Sequence, residues 1–390
     1  MPTLDDVFRK FGETAEAAVR RLAVGVIATA VWPVLAQAQQ PANSKVEAVA
    51  AAVAAPLIQR GACPGIAVGV NDHGARTFYA YGEVARGSGR RPTPATEFEI
   101  GSITKVFTTT LLALYAQRQT VKLDAPLRNY VPQGVTVPSF GGRQITLVDL
   151  ATHTSGLPRQ PPMHGDGHSP AQMFAFLSSY RLQRAPGTQF LYSNLGVALL
   201  AQALAQATAT PWEQLVRQDI TAKLGMPDTR LRLDDEERSR LATGYNRAGR
   251  QAKENMPTWP AFNGAGALFS TITDMQRFLA WNMGETKSAD LPDSLLDELH
   301  KSRFALPRPG AGVGLAWQTV PLGGGVSVVW MNGGTLGYAS YIGFVPQTRT
   351  GVVLLTNAQG CPATRAGYQI LAALNGKTGE PNAPAEEEGN

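Results

Sequence analysis

Charged residues are scarce in this chain, and its basic residues form no run. Only 17% of the 390 residues are charged, the net charge is +5, and no zinc-knuckle motif occurs. We therefore expect no nucleic acid partner. Internal repeats of solenoid period are absent as well. The apolar content of 44% instead suits a folded protein with one large core, or two subdomains sharing an interface.

Cysteine is nearly absent, since only Cys63 and Cys361 occur. In an exported protein such a pair can form a disulfide. Nearly 300 positions separate the two residues, and their spacing alone does not bring them together.

The sequence also lacks a hydrophobic run long enough for a comfortable membrane span at its N-terminus. The apolar stretch 22–36 follows Arg20 and Arg21 and ends at the small-residue motif AQA. This order is typical of a signal peptide, so we predict that residues 1–38 are removed on export to a bacterial periplasm. An uncleaved membrane anchor is the alternative. The mildly basic surface would suit peripheral association with anionic cell wall or membrane.

Strand-like segments stand at both ends of the predicted mature chain, with helical segments between them. A helical pattern over 44–60 precedes two β-rich runs around NDHG, which predict a hairpin. A helix over 271–281 begins with a capping-box spacing. Three strands and a final helix follow, over 326–331, 338–345, 351–357 and 364–376.

These patterns predict an α/β (α+β) fold with one sheet built from both chain ends, terminal helices covering it, and an all-helical insertion. The domain spans 39–376. Its α/β part covers about 44–98 and 256–376, and its helical part covers about 99–255. Residues 377–390 are polar and acidic, and we predict a disordered tail.

The stretch FEIGSITKVF places Ser102 and Lys105 three residues apart at a predicted helix start. This spacing puts both side chains on one helix face. There, a serine could act as a nucleophile and a buried lysine as its base. The positive end of the helix would favour negative charge developing at Ser102. An N-cap serine with a solvated lysine is the alternative, and the motif alone is a weak signal.

Two later segments could complete such a site. In YSN, Tyr192 and Asn194 stand just before a predicted helix, where a tyrosine could relay a proton and an asparagine could orient a lysine or a substrate amide. A buried tyrosine with an Asn N-cap is the alternative. Gly333 and Gly334 end a strand-like run, where a backbone N–H could join that of Ser102 in an oxyanion hole. A simple hairpin turn is the alternative there.

In this order and spacing, the three motifs resemble those of the penicillin-recognising serine hydrolase superfamily, class C β-lactamase type. The segments LVDLATHTSGLPR and GALFSTITDM are similar to that superfamily, and the run TVKLDAPLRNYVPQ looks like its AmpH-type D-Ala-D-Ala carboxypeptidase/endopeptidase branch. The resemblance covers about residues 45–375. It implies a β-lactamase/transpeptidase-like fold with an antiparallel sheet, an active site between the two parts, and no metal or organic cofactor.

Carried over residue by residue, the resemblance makes Ser102 the nucleophile and Lys105 its activating base. Tyr192 would pass the proton to the leaving group and later activate the deacylating water. Asn194 would position Lys105 and the substrate amide. The N–H groups of Ser102 and Gly334 would form the oxyanion hole.

The third motif departs from the family pattern. The family has Lys-Thr-Gly or His-Thr-Gly, whose cation faces the substrate carboxylate, and this chain has Met331, Asn332 and Gly333. An uncharged Met331 removes one clamp on the carboxylate of a C-terminal D-alanine or a β-lactam. This favours an esterase acting on uncharged acyl groups, unless a nearby arginine or Asn332 substitutes.

The resemblance also bears on the histidines. Because Lys105 and Tyr192 fill the base roles, His153 is predicted to be a structural loop residue. His164 and His168 could bind a metal with Asp166, but no fourth ligand is apparent, so we predict a solvated loop.

The fold of the family also bears on the two cysteines. Its first and last strands are antiparallel neighbours, and Cys63 and Cys361 would flank them at the same end. A disulfide that staples the terminal strands is therefore our hypothesis.

Together these features predict an exported, monomeric acyl-serine hydrolase. It would form an acyl-enzyme on Ser102 and hydrolyse β-lactams or D-Ala-D-Ala-type amides of cell-wall muropeptides. A family VIII-like carboxylesterase for short acyl esters and a penicillin-binding protein with slow deacylation are the alternatives. A catalytically dead interaction protein would be expected to lose Ser102, Lys105 or Tyr192, and all three are present.

Overall fold

The computed structural model describes residues 44–161, 169–252 and 260–377. The strands in these ranges are β1 (Gly65–Asp72), β2 (Ala75–Gly82), β3 (Glu97–Glu99), β4 (Ser139–Phe140), β5 (Arg143–Gln144), β6 (Phe269–Thr271), β7 (Phe304–Ala305), β8 (Gly312–Val313), β9 (Gln318–Gly323), β10 (Val326–Gly334), β11 (Ala339–Val345) and β12 (Thr350–Thr356).

The α-helices of the same ranges are α1 (Ser44–Gln59), α2 (Thr104–Gln117), α3 (Leu147–Ala151), α4 (Pro170–Ser179), α5 (Asn194–Thr208), α6 (Trp212–Val216), α7 (Ala222–Leu224), α8 (Asp235–Ser239), α9 (Asn263–Gly266), α10 (Ile272–Asn282), α11 (Ser294–His300) and α12 (Ala363–Leu374). Short 3-10 turns occur at Gly101–Ile103, Leu127–Tyr130 and Pro260–Phe262, and a π-helical turn occurs at Arg217–Thr221.

Eight strands form one antiparallel sheet in the order β2-β1-β12-β11-β10-β9-β8-β7. β1 pairs with β2 as the predicted hairpin, and it pairs with β12 in a register that sets Ile66 opposite Thr356. The prediction that the first and last strands are antiparallel neighbours is therefore confirmed. In the described ranges, two further sheets of two strands each, β3 with β6 and β4 with β5, are not hydrogen-bonded to the main sheet.

Each face of the main sheet carries its own core. Helices α1 and α12 pack on one face, in an apolar cluster that includes Ile66, Trp330 and Leu354. Helix α10 packs on the other face, where Met331 and Val353 join a larger cluster that continues into the helical part. Because both faces are covered, β1 and β12 are almost wholly buried, and each has a continuous apolar run at its centre, over 65–70 and 351–355. The predicted combination of an antiparallel sheet with flanking helices is confirmed.

Helix α2 lies at the centre of the helical part. Twelve of its 14 residues are buried, and a helix that is buried all round belongs in the interior of a protein. Helices α5 and α9 pack against it. This burial matters for function because α2 follows the turn that carries Ser102.

Side-chain caps fix several helix starts. The hydroxyls of Thr146 and Ser169 cap α3 and α4 within reciprocal capping boxes. Thr271 caps α10 by accepting from the Asp274 N–H at 3.3 Å, which is one half of the predicted capping box. The Asp274 carboxylate accepts from the Asp228 N–H at 2.8 Å, so it also ties α10 to the preceding loop.

Two predictions about the sheet are wrong in detail. The strand predicted to end at Met331 continues through the NGG segment, because Gly333 and Gly334 pair with Ser340 and Ala339 of β11. The sheet also extends beyond β10 through β9, β8 and β7. Strands of two residues, such as β7 and β8, are too short to show an alternating pattern in the sequence.

The hypothesised disulfide is present in the structure. Cys63, just before β1, is bonded to Cys361, just before α12, and their Cα atoms are 5.1 Å apart. Both residues are buried. The bond therefore ties the start of the sheet to the segment that follows its last strand.

Some predictions fall outside the described residues. These are the signal peptide over 1–38, the loop with His164, Asp166 and His168, and positions 378–390 of the tail. Within the described ranges, the helices are either too short or too polar to cross a lipid bilayer.

Candidate active site

Ser102 lies in the 3-10 turn Gly101–Ile103, directly before α2, and is almost fully buried. Its side chain caps neither helix, so the alternative of an N-cap serine is wrong. Gly101 adopts a φ of +52°, and a Cβ there would lie 2.8 Å from the Gly334 nitrogen. Only glycine combines this backbone conformation with so close an approach of β10.

Lys105 lies one turn after Ser102 and has no exposed surface. Its Nζ atom donates to Ser102 Oγ at 2.8 Å and to the carbonyl oxygen of Ala265 at 2.6 Å. The alternative of a solvated lysine is therefore wrong. The predicted pair is in direct contact, and a backbone carbonyl holds the amine in place.

The Ala265 carbonyl is positioned by packing of α9 on α2 and α5. Thr108 Oγ1 of α2 donates to the Gly264 carbonyl at 2.7 Å and accepts from Trp212 Nε1 at 3.0 Å. A Cβ at Gly264 would lie 2.3 Å from the Ala201 side chain, so α9 can approach this closely only with glycine there. Close helix packing thus presents a carbonyl oxygen to Lys105.

Tyr192 brings its ring to the same site. Lys105 Nζ lies 4.9 Å from the ring centroid, and the guanidinium carbon of Arg159 lies 5.0 Å from it. The His153 ring packs against it at 4.4 Å between centroids. The structure therefore brings together three of the predicted residues, Ser102, Lys105 and Tyr192.

The loop 153–159 holds the Tyr192 segment by its backbone. The His153 carbonyl accepts from the Leu191 N–H at 2.7 Å, and the Arg159 carbonyl accepts from the Asn194 N–H at 2.9 Å. Between them, Ser193 Oγ donates to the Pro158 carbonyl at 2.7 Å. Hydrogen bonds on both sides of Tyr192 fix its backbone, which limits where the phenol can move.

His153 is buried and adopts a φ of +57°. Burial, assisted by the nearby Lys105 charge, lowers the pKa of His153 from 6.5 to about 3. Its Nδ1 atom accepts from the Ser193 N–H at 3.1 Å, which requires that nitrogen to be unprotonated. A neutral imidazole locked in this way agrees with the predicted structural role.

Asn194 is the first residue of α5, and the N-cap is Ser193, whose hydroxyl accepts from the Gly196 N–H at 2.9 Å. The alternative of an Asn N-cap is therefore wrong. The Asn194 Oδ1 atom is buried and accepts no hydrogen bond from the described residues. The structure thus does not show the predicted bond from Lys105 to this oxygen.

Gly333 and Gly334 meet the nucleophile turn backbone to backbone. A Cβ at Gly333 would lie 2.1 Å from the Ile100 carbonyl oxygen and 2.9 Å from the Ser102 nitrogen. A Cβ there would also lie 2.5 Å from Ser340 Oγ, so only glycine fits between the turn and β11 at this point. The nitrogens of Ser102 and Gly334 therefore lie along one seam lined by glycine.

Ser340 of β11 fastens this seam, and the sequence analysis missed it. Its hydroxyl donates to the Ile100 carbonyl at 2.8 Å, next to the turn, and lies 3.4 Å from the Gly333 carbonyl. It is a polar residue on a strand whose residues are all buried. A serine inside an otherwise apolar strand is the signal that could have identified it.

Met331 and Asn332 lie on opposite faces of β10. Met331 has no exposed surface and belongs to the apolar cluster that also contains Ile100 and Ile103. Asn332 donates through Nδ2 to Thr364 Oγ1 of α12 at 2.9 Å. Its amide nitrogen therefore ties the sheet to the terminal helix, a structural contact that the sequence analysis did not predict.

Comparison with known proteins identifies the group to which this site belongs. A family model described as Beta-lactamase matches residues 49–375. The chain belongs to the beta-lactamase family. This confirms the resemblance found in the sequence, and it makes the protein a serine hydrolase of the class C β-lactamase/carboxypeptidase type.

Individual members of the beta-lactamase family match most of the chain. It is 34% identical over 320 residues to the D-alanyl-D-alanine-carboxypeptidase/endopeptidase AmpH of Escherichia coli (strain K12), covering 77% of this chain and 80% of that protein. A beta-lactamase of Pseudomonas fluorescens is 28% identical over 353 residues, covering 82% of this chain and 96% of that one. The solved beta-lactamase/D-alanine carboxypeptidase from Yersinia pestis, complexed with citrate, has a TM-score of 0.75 at 28% identity and covers 85% of this chain and 98% of its own.

Residues missed by the sequence analysis complete the site of this beta-lactamase family member. They are the carbonyl of Ala265, the hydroxyl of Ser340 and the guanidinium of Arg159. A carbonyl has no signature in a sequence, because every residue carries one. Arg159 ends the family-like segment TSGLPR, and its position in that segment was the available signal. In the described ranges, no cluster of three or more histidine, cysteine or acidic residues could hold a metal ion.

Proposed function

We propose that the protein hydrolyses D-Ala-D-Ala-type amide bonds of cell-wall peptides, and β-lactams that mimic them, through an acyl-enzyme on Ser102. The contact of 2.8 Å between Lys105 Nζ and Ser102 Oγ, both buried, carries this proposal. A serine hydroxyl needs a base within hydrogen-bond reach to attack a carbonyl carbon. Lys105 acts as that base through its neutral amine, whose lone pair accepts the hydroxyl proton of Ser102.

Acylation then follows from the contacts around Ser102. Its Oγ attacks the carbonyl carbon while Lys105 takes the hydroxyl proton. The N–H groups of Ser102 and Gly334 stabilise the negative oxygen of the tetrahedral intermediate. The C–N bond breaks, and Tyr192 gives a proton to the leaving nitrogen. The buried Oδ1 atom of Asn194 is available to accept from a substrate amide.

Deacylation reverses these roles. The Tyr192 oxygen takes a proton from water as the water oxygen attacks the acyl carbon. The ester bond to Ser102 breaks, and its Oγ regains a proton from Lys105. This sequence needs no metal ion or organic cofactor.

We further propose that the protein works as a monomer in the periplasm after removal of residues 1–38. The basic residues and apolar stretch before AQA support export. The net charge of +5 would suit an anionic cell-wall environment, which is where muropeptide substrates occur.

A short-chain carboxylesterase is the second candidate function. Met331 favours it, because this uncharged side chain is fully buried in an apolar cluster at the third-motif position. An ester without a carboxylate makes no ion pair with a cation at this position, so its binding would not be weakened by Met331.

A turnover panel tests both candidates. The wild type and Ser102→Ala are compared on nitrocefin, a D-Ala-D-Ala peptide and a short-chain p-nitrophenyl ester. We expect wild-type turnover of the peptide and nitrocefin, and a loss of at least about a thousandfold in Ser102→Ala. Turnover of the ester alone would replace the first candidate with the second. Activity that survives Ser102→Ala would overturn both.

A further inference from the structure

Arg159 is held against Tyr192 by both its main chain and its side chain. Its carbonyl accepts from the N–H groups of Asn194 and Leu195 at 2.9 and 3.2 Å, at the start of α5. Its guanidinium carbon lies 5.0 Å from the centre of the Tyr192 ring. The same residue therefore fixes the backbone next to Tyr192 and brings a permanent positive charge to the ring.

Arginine is suited to this position for two reasons. Its guanidinium stays protonated at all working pH values, so its charge does not depend on the proton transfers of the site. It is also planar and stacks on aromatic rings. Lys105, the other cation near the ring, at 4.9 Å, returns its proton to Ser102 during deacylation in the proposed mechanism, so its charge is lost as that step proceeds.

The remaining groups around the ring do not supply this charge. His153 packs on Tyr192 at 4.4 Å, but its pKa of about 3 leaves it neutral near pH 7. Among the described residues, Lys105, Arg159 and His153 are charged or titratable groups that lie against the Tyr192 ring.

We propose that Arg159 is a positioning residue that acts through Tyr192, stabilising the negative phenolate oxygen with which Tyr192 takes a proton from the deacylating water. This proposal rests on the proposed function of Tyr192. An opposite charge within about 4–6 Å favours the ionised form of a group, so a fixed cation increases the fraction of active base at a given pH. The proposed base is active when deprotonated, so its activity falls as the pH decreases.

The test is the pH dependence of the deacylation rate constant, read from the decay of the acyl-enzyme in single-turnover experiments, in Arg159→Met and Arg159→Gln, with Arg159→Lys as the conservative variant. Removal of the charge is expected to move the acidic limb of the profile upward by about one pH unit. Arg159→Lys should restore the limb to near its wild-type position. The shift should be the same for nitrocefin, which carries a carboxylate, and for a neutral p-nitrophenyl ester, because Arg159 acts on Tyr192 and not on the substrate.

Arg86→Met is the matched control. The guanidinium carbon of Arg86 lies at the same distance, 5.0 Å, from the centroid of the Tyr245 ring. The main-chain N–H of Arg86 donates to the Tyr245 hydroxyl oxygen at 2.8 Å. Neither residue has a role in the proposed mechanism. Replacing Arg86 by methionine removes an equivalent contact between a guanidinium and a tyrosine ring, and it should leave the pH profile unchanged.

Two results would overturn the proposal. One is an acidic limb that stays in place in folded Arg159→Met or Arg159→Gln. The other is a loss confined to KM for carboxylate-bearing substrates, which would make Arg159 a substrate clamp. If either result is found while wild-type turnover still depends on Ser102, the role of Arg159 is refuted and the proposed function stands. An absence of any wild-type turnover removes the proposed function, and the role of Arg159 with it.

Discussion

Lys105 is a long, basic side chain with no exposed surface, and two oxygen atoms surround its amine. Burial of a lysine is costly unless its polar atom has partners. Its partners include Ser102 Oγ and the carbonyl oxygen of Ala265. The contact with Ser102 Oγ places the amine within hydrogen-bond reach of the nucleophile, as a lysine base requires.

At the residue scale, the sequence predicted the side chains that carry chemistry better than the groups that hold them. Ser102, Lys105 and Tyr192 stand in motifs with fixed spacing, and the structure brings them into contact. The contact of Asn332 with Thr364 was not predicted, because the face of a strand residue depends on which helices cover each side. The carbonyl of Ala265 was unpredictable because backbone groups have no residue-specific signal.

Gly333→Ala should strongly impair acylation. The new Cβ would lie 2.1 Å from the Ile100 carbonyl and 2.9 Å from the Ser102 nitrogen, so β10 and the nucleophile turn must separate. We expect acylation by a fluorescent penicillin to slow by at least about tenfold, and stability to fall by roughly 1–3 kcal/mol. Stopped-flow or gel-based labelling measures the first effect, and urea unfolding measures the second.

Gly360→Ala is the control for this substitution, because a Cβ at Gly360 meets nothing within 4 Å. It should acylate at the wild-type rate. An unchanged acylation rate in Gly333→Ala would contradict the close seam between β10 and the turn.

At the element scale, the short strands β3 and β6 join the segment before the nucleophile to the start of α10. Glu97 of β3 is fully buried, and its carboxyl oxygens accept no hydrogen bond from the described residues. Burial, together with the charge of Asp228, raises the pKa of Glu97 from 4.5 to about 9. Arg240 lies 3.7 Å away and opposes this shift only in part.

Glu97 should therefore make stability depend on pH. In the folded protein it stays protonated up to about pH 9, while in the unfolded chain it ionises near pH 4.5. Its contribution is thus fully present below pH 4.5 and is lost as the pH rises towards 9, by at most roughly 1.4 kcal/mol per pH unit. Glu97→Gln removes this loss because glutamine does not ionise. The unfolding free energy of Glu97→Gln minus that of the wild type should therefore increase as the pH rises.

Urea unfolding of the wild type and Glu97→Gln at pH 5, 7 and 8.5 measures the difference. Glu236→Gln in α8, where the side chain is exposed, serves as the control and should show no such trend. A stability difference that stays constant over this range would mean that Glu97 is ionised in the folded protein.

The elements themselves were predictable where their pattern was long. The helix over 44–60, the NDHG hairpin and the three C-terminal strands match α1, β1 with β2, and β10 to β12 within a few residues. The short strands β3, β7 and β8 were missed, because two or three residues show no period. Their existence depends on tertiary pairing.

At the scale of the whole molecule, the first and last strands of the described chain pair with each other, one strand in from the β2 edge of the sheet. β1 and β12 are adjacent, α1 and α12 cover them, and the bond between Cys63 and Cys361 closes a separation of 298 residues. The sequence predicted strands at both ends, and the family resemblance supplied their adjacency. Composition alone could not have supplied the disulfide.

The disulfide should contribute to stability and not to chemistry. It restricts the unfolded chain over almost the full length of the domain, so its removal in Cys63→Ala/Cys361→Ala should lower the unfolding free energy by roughly 2–5 kcal/mol. Below its melting temperature the double variant should acylate normally, because neither cysteine contributes a group to the proposed mechanism.

Thermal unfolding with and without dithiothreitol provides the measurement. The wild type should melt at a lower temperature in the reductant, and the double variant should not respond to it. A wild type whose melting temperature is insensitive to full reduction, verified by thiol titration, would contradict a stabilising role for this bond.

The central claim is that Ser102 becomes acylated, and intact-mass spectrometry with peptide mapping tests it most directly. The wild type, incubated with a fluorescent penicillin and quenched rapidly, should gain the mass of one penicillin, located on the peptide that contains Ser102. Ser102→Ala should gain none. An adduct on another residue, or one of equal yield in Ser102→Ala, would show that the pair of Ser102 and Lys105 is not the catalytic centre.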